Sequence, residues 1–236
     1  MTTRLHQIAA FVGLSLLAFM AQANPLLPVT NLTFSVYSGF APKTLFSAVN
    51  PAGWYRGTPG SRGDLVSIDA PGTATVDNQT HGNAYPVWAP FADPPPGGNF
   101  VQADGNPDFE SSFNQDIHGL VIGTKYDLSF WQAAGQQLGF DGATTEQWVV
   151  ALGSVGSVLN VTVSAGFGTY FDTDPLAAIN LSPLMNTPSH GAAPWQQITM
   201  SFVATAADQT LSFLAWGDYA RNPKSGRFVD DVITEP

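Results

Sequence analysis

Oxygen-bearing side chains recur at every second position across Asp104, Asn106, Asp108 and Glu110. A hard cation such as calcium collects roughly six to eight oxygens at about 2.3–2.6 Å, so a turn that converged these four would supply part of a site. The segment is not an EF-hand. Phe109 stands where that loop needs glycine, and Gln115 where it needs a bidentate glutamate. A solvated acidic turn is the competing reading of the same residues. Asp230 is a second candidate ligand, because it alternates with Phe228 and Val232 and a carboxylate among apolar neighbours needs a partner. A structural calcium and an ordinary pairing with Arg227 would each answer that need. Asp231, next to it, is the weaker of the two.

Aromatic side chains offer a different chemistry. A flat ring stacks on the apolar face of a sugar, and nearby Asn, Gln or Asp side chains bond its hydroxyls. Trp54 and Tyr55 sit among glycines and prolines in a stretch that reads as loop, and Trp88 sits in another. Trp131 shares the polar face of a strand with Asp127 and Ser129. These four are the candidate ligand-binding residues. Trp148 alternates with Val150 and Leu152 and reads as core. For any single tryptophan, packing competes with ligand stacking.

Catalytic constellations do not emerge. His6, His81, His118 and His190 show no metal-type spacing. Ser61 has Pro59 where a nucleophile elbow needs its first glycine. Cysteine nucleophiles are absent, and Gly166 and Gly168 lack the third glycine of a dinucleotide turn. Glu110, Glu146 and the aspartates contain a possible carboxylate pair for glycoside hydrolysis, but spacing selects none. Arg62, Gly63 and Asp64 match the adhesion tripeptide in letters only.

The elements that would carry these residues are strands. Over residues 115–134 a short strand, a Gly-Thr-Lys turn and a strongly alternating strand follow one another. Tyr126, Leu128 and Phe130 fall on one face, with Asp127, Ser129 and Trp131 on the other. Further strands are predicted over 32–37, 64–69, 100–102, 111–117, 147–153, 155–164, 195–204, 209–216 and 228–233, with a shorter one at 73–77. Residues 50–63 and 166–191 read as mostly irregular, and 80–99 as an ordered loop rich in Pro, Gly and aromatics. Short alternating strands between turn-forming loops predict an all-β, antiparallel two-sheet sandwich.

Composition bounds the rest. Gly (23) and Pro (18) are plentiful among 236 residues, which suits many turns. The net charge is −10 with only 8 Lys and Arg, which disfavours nucleic acid and anionic membranes as partners. Arg4, the apolar run at 8–20 and Ala21-Gln22-Ala23 read as a signal peptide over 1–23, leaving a single β-sandwich domain over 24–236. No other run is long enough to span a membrane. A secreted chain with no cysteine rests on its core, which points to a bacterial exported protein.

Several runs are similar to a family of bacterial exported proteins that carry a PEP-CTERM sorting tail. They are Leu128-Ser-Phe-Trp-Gln-Ala-Ala-Gly-Gln-Gln137, Thr144-Thr-Glu-Gln-Trp148, Ser182-Pro-Leu-Met-Asn-Thr-Pro-Ser-His-Gly191, Pro194-Trp-Gln-Gln and Thr210-Leu-Ser-Phe-Leu214. The ending Phe228-Val-Asp-Asp-Val232 resembles the closing strand of galactose-binding-like jelly rolls, including carbohydrate-binding modules. The resemblance covers about 98–233; the tail itself is missing after Pro236, and 164–181 looks like an addition. It implies a jelly-roll, galactose-binding-like sandwich, export, and a structural calcium at Asp230. It further implies non-catalytic binding or scaffolding at the bacterial cell surface or in the extracellular polysaccharide matrix, with carbohydrate as the ligand. The alternatives are a surface protein assembling through its own sheet edges and a glycoside hydrolase or lyase.

Overall fold

The computed structural model describes residues 23–31, 34, 44–45, 50–58, 66–76, 86–106, 111–164, 167–217 and 231–235. Period-two patterning builds its central strands. In β6 (Lys125–Gly135), Tyr126, Leu128 and Phe130 are buried, while Asp127, Ser129 and Trp131 are half-buried. Its neighbour β12 (Ala192–Val203) sets Phe202, Met200 and Ile198 opposite those three core residues. Directly opposed apolar pairs of this kind are the unit of sheet stabilisation.

Six strands form the first sheet, in the order β1 (Thr44–Leu45), β3 (Val66–Asp69), β4 (Phe100–Asp104), β14 (Asp231–Glu235), β6 and β12. The second sheet runs β10 (Ala178–Leu181), β7 (Thr144–Ser154), β13 (Gln209–Gly217), β5 (Phe113–Ile117) and β2 (Trp54–Arg56), with β11 (Met185–Thr187) also on β7. A separate two-stranded ribbon joins β8 (Leu159–Ser164) to β9 (Phe167–Asp172). Every ladder is antiparallel. Among the described residues there is no helix.

One apolar core lies between the two sheets. It takes Val101, Phe130 and Met200 from the first and Phe113, Trp148 and Phe213 from the second. Phe113 and Phe213 stack at 5.0 Å, and Phe130 meets Phe213 edge-on at 5.4 Å. These are the offset and edge-to-face geometries that aromatic quadrupoles favour. The fold is therefore an all-β antiparallel sandwich, as the alternation predicts.

Both outer faces carry a partial cover. Residues 86–99 lie over the first sheet, where Val87 and Phe100 form a small cluster backed by Phe91 and Trp195. The cover presses so closely that a Cβ at Gly135 would come within 3.0 Å of Val87. This is why β6 loses its alternation after Trp131 and is buried on both faces. On the second sheet the β8–β9 ribbon packs Leu159, Val161 and Tyr170 against Val149, Ala151 and Leu214. The Ser212 hydroxyl accepts the Leu159 amide at 3.0 Å, which pins the ribbon to β13.

Several expectations need correction. Residues 50–63 hold β2, and 166–191 hold β9, β10 and β11 rather than irregular chain. Of the short strand expected at 73–77, the described residues 73–76 form a turn closed by the Val76 amide on the Thr73 carbonyl at 3.0 Å, and 77 falls outside the described residues. The strand expected at 32–37 falls outside the described residues except for Phe34, as do residues 1–22 of the expected signal peptide. The closing strand includes Asp231–Glu235, while 228–230 fall outside the described residues.

Candidate functional site

A strap of residues 24–31 links the two sheets and builds one wall of a cleft. Asn24 Nδ2 donates to Asp127 Oδ1 at 2.9 Å, and the Leu27 amide donates to the Asp127 carbonyl at 2.8 Å. Leu27 is buried in the core. The strap then reaches the edge of the second sheet, where Gln115 grips Thr30 twice. Its Oε1 accepts the Thr30 amide at 2.7 Å and its Nε2 donates to the Thr30 carbonyl at 2.9 Å. Trp54 Nε1 donates to the same carbonyl at 3.1 Å. The turn into β2 places Gly53 at φ +84°, beside Thr30 and Gln115, a conformation that glycine adopts without strain.

Between strap and sheet lies an open cleft of about 650 Å³, lined by Pro28, Thr30, Gly53, Trp54, Tyr55, Gln115, Asp116 and His118. Its polar end is a relay across the outer face of β2, β5 and β13. The Tyr55 hydroxyl donates to Asp116 Oδ1 at 2.9 Å, and Thr210 Oγ1 donates to the same oxygen at 2.6 Å. The Gly156 amide donates to Thr210 Oγ1 at 2.8 Å, so the relay ends at the turn that leads into β8. Burial pushes the Tyr55 phenol up to about 12; Asp116 adds to the rise, and the hydrogen bond with Thr210 opposes it. His118, exposed just past β5, has Nδ1 3.1 Å from Asp208 Oδ1. A carboxylate only accepts, so Nδ1 carries the hydrogen of this contact.

The four aromatic candidates fall in three places. Tyr55 is half-buried on the cleft, but in β2 rather than in a loop. Trp54 is also in β2, only 2% exposed, and packs on Phe34, Phe113 and Phe213. It belongs to the core and only borders the cleft, which corrects its reading as a loop platform. Strand alternation explains the difference, since neighbours in β2 point to opposite faces. Trp88 is half-buried in the 86–99 cover. Its Nε1 donates to the Phe140 carbonyl at 3.1 Å, and its ring lies 4.3 Å from that of His190, which is bonded to Asp141. Trp131 is half-buried on the outer face of β6, opposite Gln197. Trp148 is fully buried, as its alternation predicts.

The oxygen-rich segment leaves its strand at Asp104. That side chain is buried, and its Oδ1 accepts the Asn106 amide at 2.8 Å, an Asx-type cap on the turn. Asp104 stands opposite Asp231 in the β4–β14 ladder. Asp108, Glu110 and Asp230 lie outside the described residues. Among the described residues no group of three or more His, Cys, Asp or Glu converges on a metal position.

Asp116 and His118 were not singled out by sequence reasoning. Their signal is the alternation of Asn114, Asp116 and His118 with Phe113, Gln115 and Ile117, which places the first three on the face away from the core.

No family profile matches the chain, and no curated protein matches it. Among solved structures the chain is similar to the K1 cleaved adhesin domain of Lys-gingipain from Porphyromonas gingivalis. Identity there is 11%, covering 84% of this chain and 96% of that one, with a TM-score of 0.37. TmCBM61, solved in complex with β-1,4-galactotriose, is 12% identical, covering 77% of this chain and 83% of that one, with a TM-score of 0.32. The enzymatically active domain of bacteriophage CBA120 tailspike protein 4 is 11% identical over 78% of this chain, with a TM-score of 0.38. This chain spans 18% of the length of that tailspike chain.

Proposed function

We propose that this is an exported, non-catalytic carbohydrate-binding protein of the bacterial cell surface or extracellular polysaccharide matrix, built on a galactose-binding-like jelly roll. The observation that carries the proposal is the cleft. A half-exposed tyrosine ring stands beside a carboxylate, an imidazole and a hydroxyl, the combination that packs a sugar ring and bonds its hydroxyls. Export is supported by the N-terminal sequence, with Asn24 as the first residue of the mature chain and its side chain on Asp127. Among the described lining residues Asp116 is the only carboxylate, where glycoside hydrolysis uses two, so binding is favoured over cleavage. A calcium held by Asp104, Asn106, Asp108, Glu110 or Asp230 has a structural role in this reading.

A polysaccharide binding screen on residues 24–236, run in calcium and again in chelator, tests the proposal. Retention on at least one glycan, lost in Tyr55→Ala, is the expected result. Retention that Tyr55→Ala leaves unchanged would move the site elsewhere, and loss in chelator would tie calcium to the site.

A second reading, assembly through the protein's own edges, is supported by β10. This edge strand exposes Ile179 and Leu181, with Leu176 and Leu184 exposed on either side. No charged residue occurs from Pro175 to Ser189. Edges without charge are templates for pairing. A mass that rises with concentration in light scattering would favour this reading, and a strict monomer would remove it.

A further inference from the structure

Resting on the reading that the cleft takes sugar, we propose that its ligand is an uncharged, hydroxyl-rich glycan and that Asp116 excludes uronate- and sulfate-bearing chains. The argument is an inventory of donors and acceptors. Apart from the Thr30 hydroxyl, the side-chain donors of the cleft wall are committed within the protein. Tyr55 and Thr210 both give their hydroxyl hydrogens to Asp116 Oδ1, at 2.9 and 2.6 Å. Gln115 Nε2 and Trp54 Nε1 both give theirs to the Thr30 carbonyl, at 2.9 and 3.1 Å. His118 Nδ1 is turned to Asp208 at 3.1 Å.

What faces the cleft is a set of acceptors. Asp116 Oδ2 receives no hydrogen bond from the described residues, while its partner oxygen receives two that fix the carboxylate in place. His118 Nδ1 is held by Asp208, which leaves Nε2 as the ring nitrogen open to a ligand. Neither Lys nor Arg is among the described lining residues. An anionic ligand would meet a fixed negative charge, with no Lys or Arg among the described lining residues and few free donors to offset the loss of its hydration. A neutral sugar brings hydroxyl donors, which is what such a surface lacks.

The test is binding of the unmodified protein to immobilised galacto-, manno- and gluco-oligosaccharides beside oligogalacturonate and sulfated galacto-oligosaccharide, at one ionic strength. The expected result is retention on the neutral chains, with at least tenfold weaker retention on the charged ones. Asp116→Asn keeps an acceptor for Tyr55 and Thr210 while removing the charge. It is expected to weaken neutral binding about tenfold and to narrow the gap to the uronate. Equal or stronger binding of the charged chains by the unmodified protein would overturn the proposal while leaving the sugar reading intact. Retention on none of the chains would overturn both.

Discussion

Tyr55 and Asp116 are joined by a 2.9 Å hydrogen bond between an edge strand and the strand it pairs with, β2 and β5. The bond fixes the carboxylate at the cleft and ties the short edge strand down. The Tyr55 phenol is pushed up to about 12, chiefly by burial. Its folded value lies above its unfolded value near 10, so its contribution to stability is complete below about pH 10 and is lost as the pH rises through about 12. Tyr55→Phe is expected to cost about 1 kcal/mol at neutral pH, the worth of one such bond. In an alkaline absorbance titration it should remove a phenol that ionises at about pH 12.

Trp54→Ala should behave as a core mutation. The indole is 2% exposed and touches three phenylalanine rings. Truncation should cost about 3–5 kcal/mol and lower the urea midpoint accordingly. A native-like midpoint in this variant would contradict its placement.

Asp172 gives a gain of stability on neutralisation. It is 7% exposed in β9, and burial holds its carboxyl above the usual range. A raised carboxyl favours the fold most when protonated, and that advantage is lost as pH rises through the folded pKa. Asp172→Asn can still accept the Asp174 amide, which donates to Oδ1 at 2.7 Å. Thermal melts should show the variant gaining on the parent as the pH rises from 3 to 7.

The opposite sign holds at Asp127. Hydrogen bonds from Ser201 and Asn24 hold its carboxyl below the usual range. Its contribution is present above the unfolded pKa and is lost as pH falls through the folded one. The strap that it anchors should therefore loosen in acid. Hydrogen exchange at the Leu27 amide, which donates to the Asp127 carbonyl, should speed up there. Asp127→Asn should flatten that pH dependence.

The main sheets were legible because their strands alternate over long runs, as in Tyr126, Leu128 and Phe130 against Ile198, Met200 and Phe202. The short edge strands were not. Trp54 and Tyr55 belong to a strand of three residues flanked by Pro51, Gly53 and Gly57, and that local sequence reads as turn. Strand identity there comes from pairing with β5, a long-range contact that no local window contains. β8 lies within the strand predicted at 155–164, but the docking of the β8–β9 ribbon depends on hydroxyls far along the chain, Thr210 and Ser212, accepting amides at its base. Of the site, Tyr55 was found from its residue type. Asp116 and His118 become candidates only when β2 and the strap close over them.

The most direct test of the central claim is chemical-shift mapping of residues 24–236 during titration with a neutral oligosaccharide retained in the binding screen. The account predicts saturable shifts at Thr30, Tyr55, Asp116 and His118, with Trp88 and Trp131 unmoved. Shifts centred on Trp88 and His190, or on Trp131 and Gln197, with the cleft silent, would contradict it.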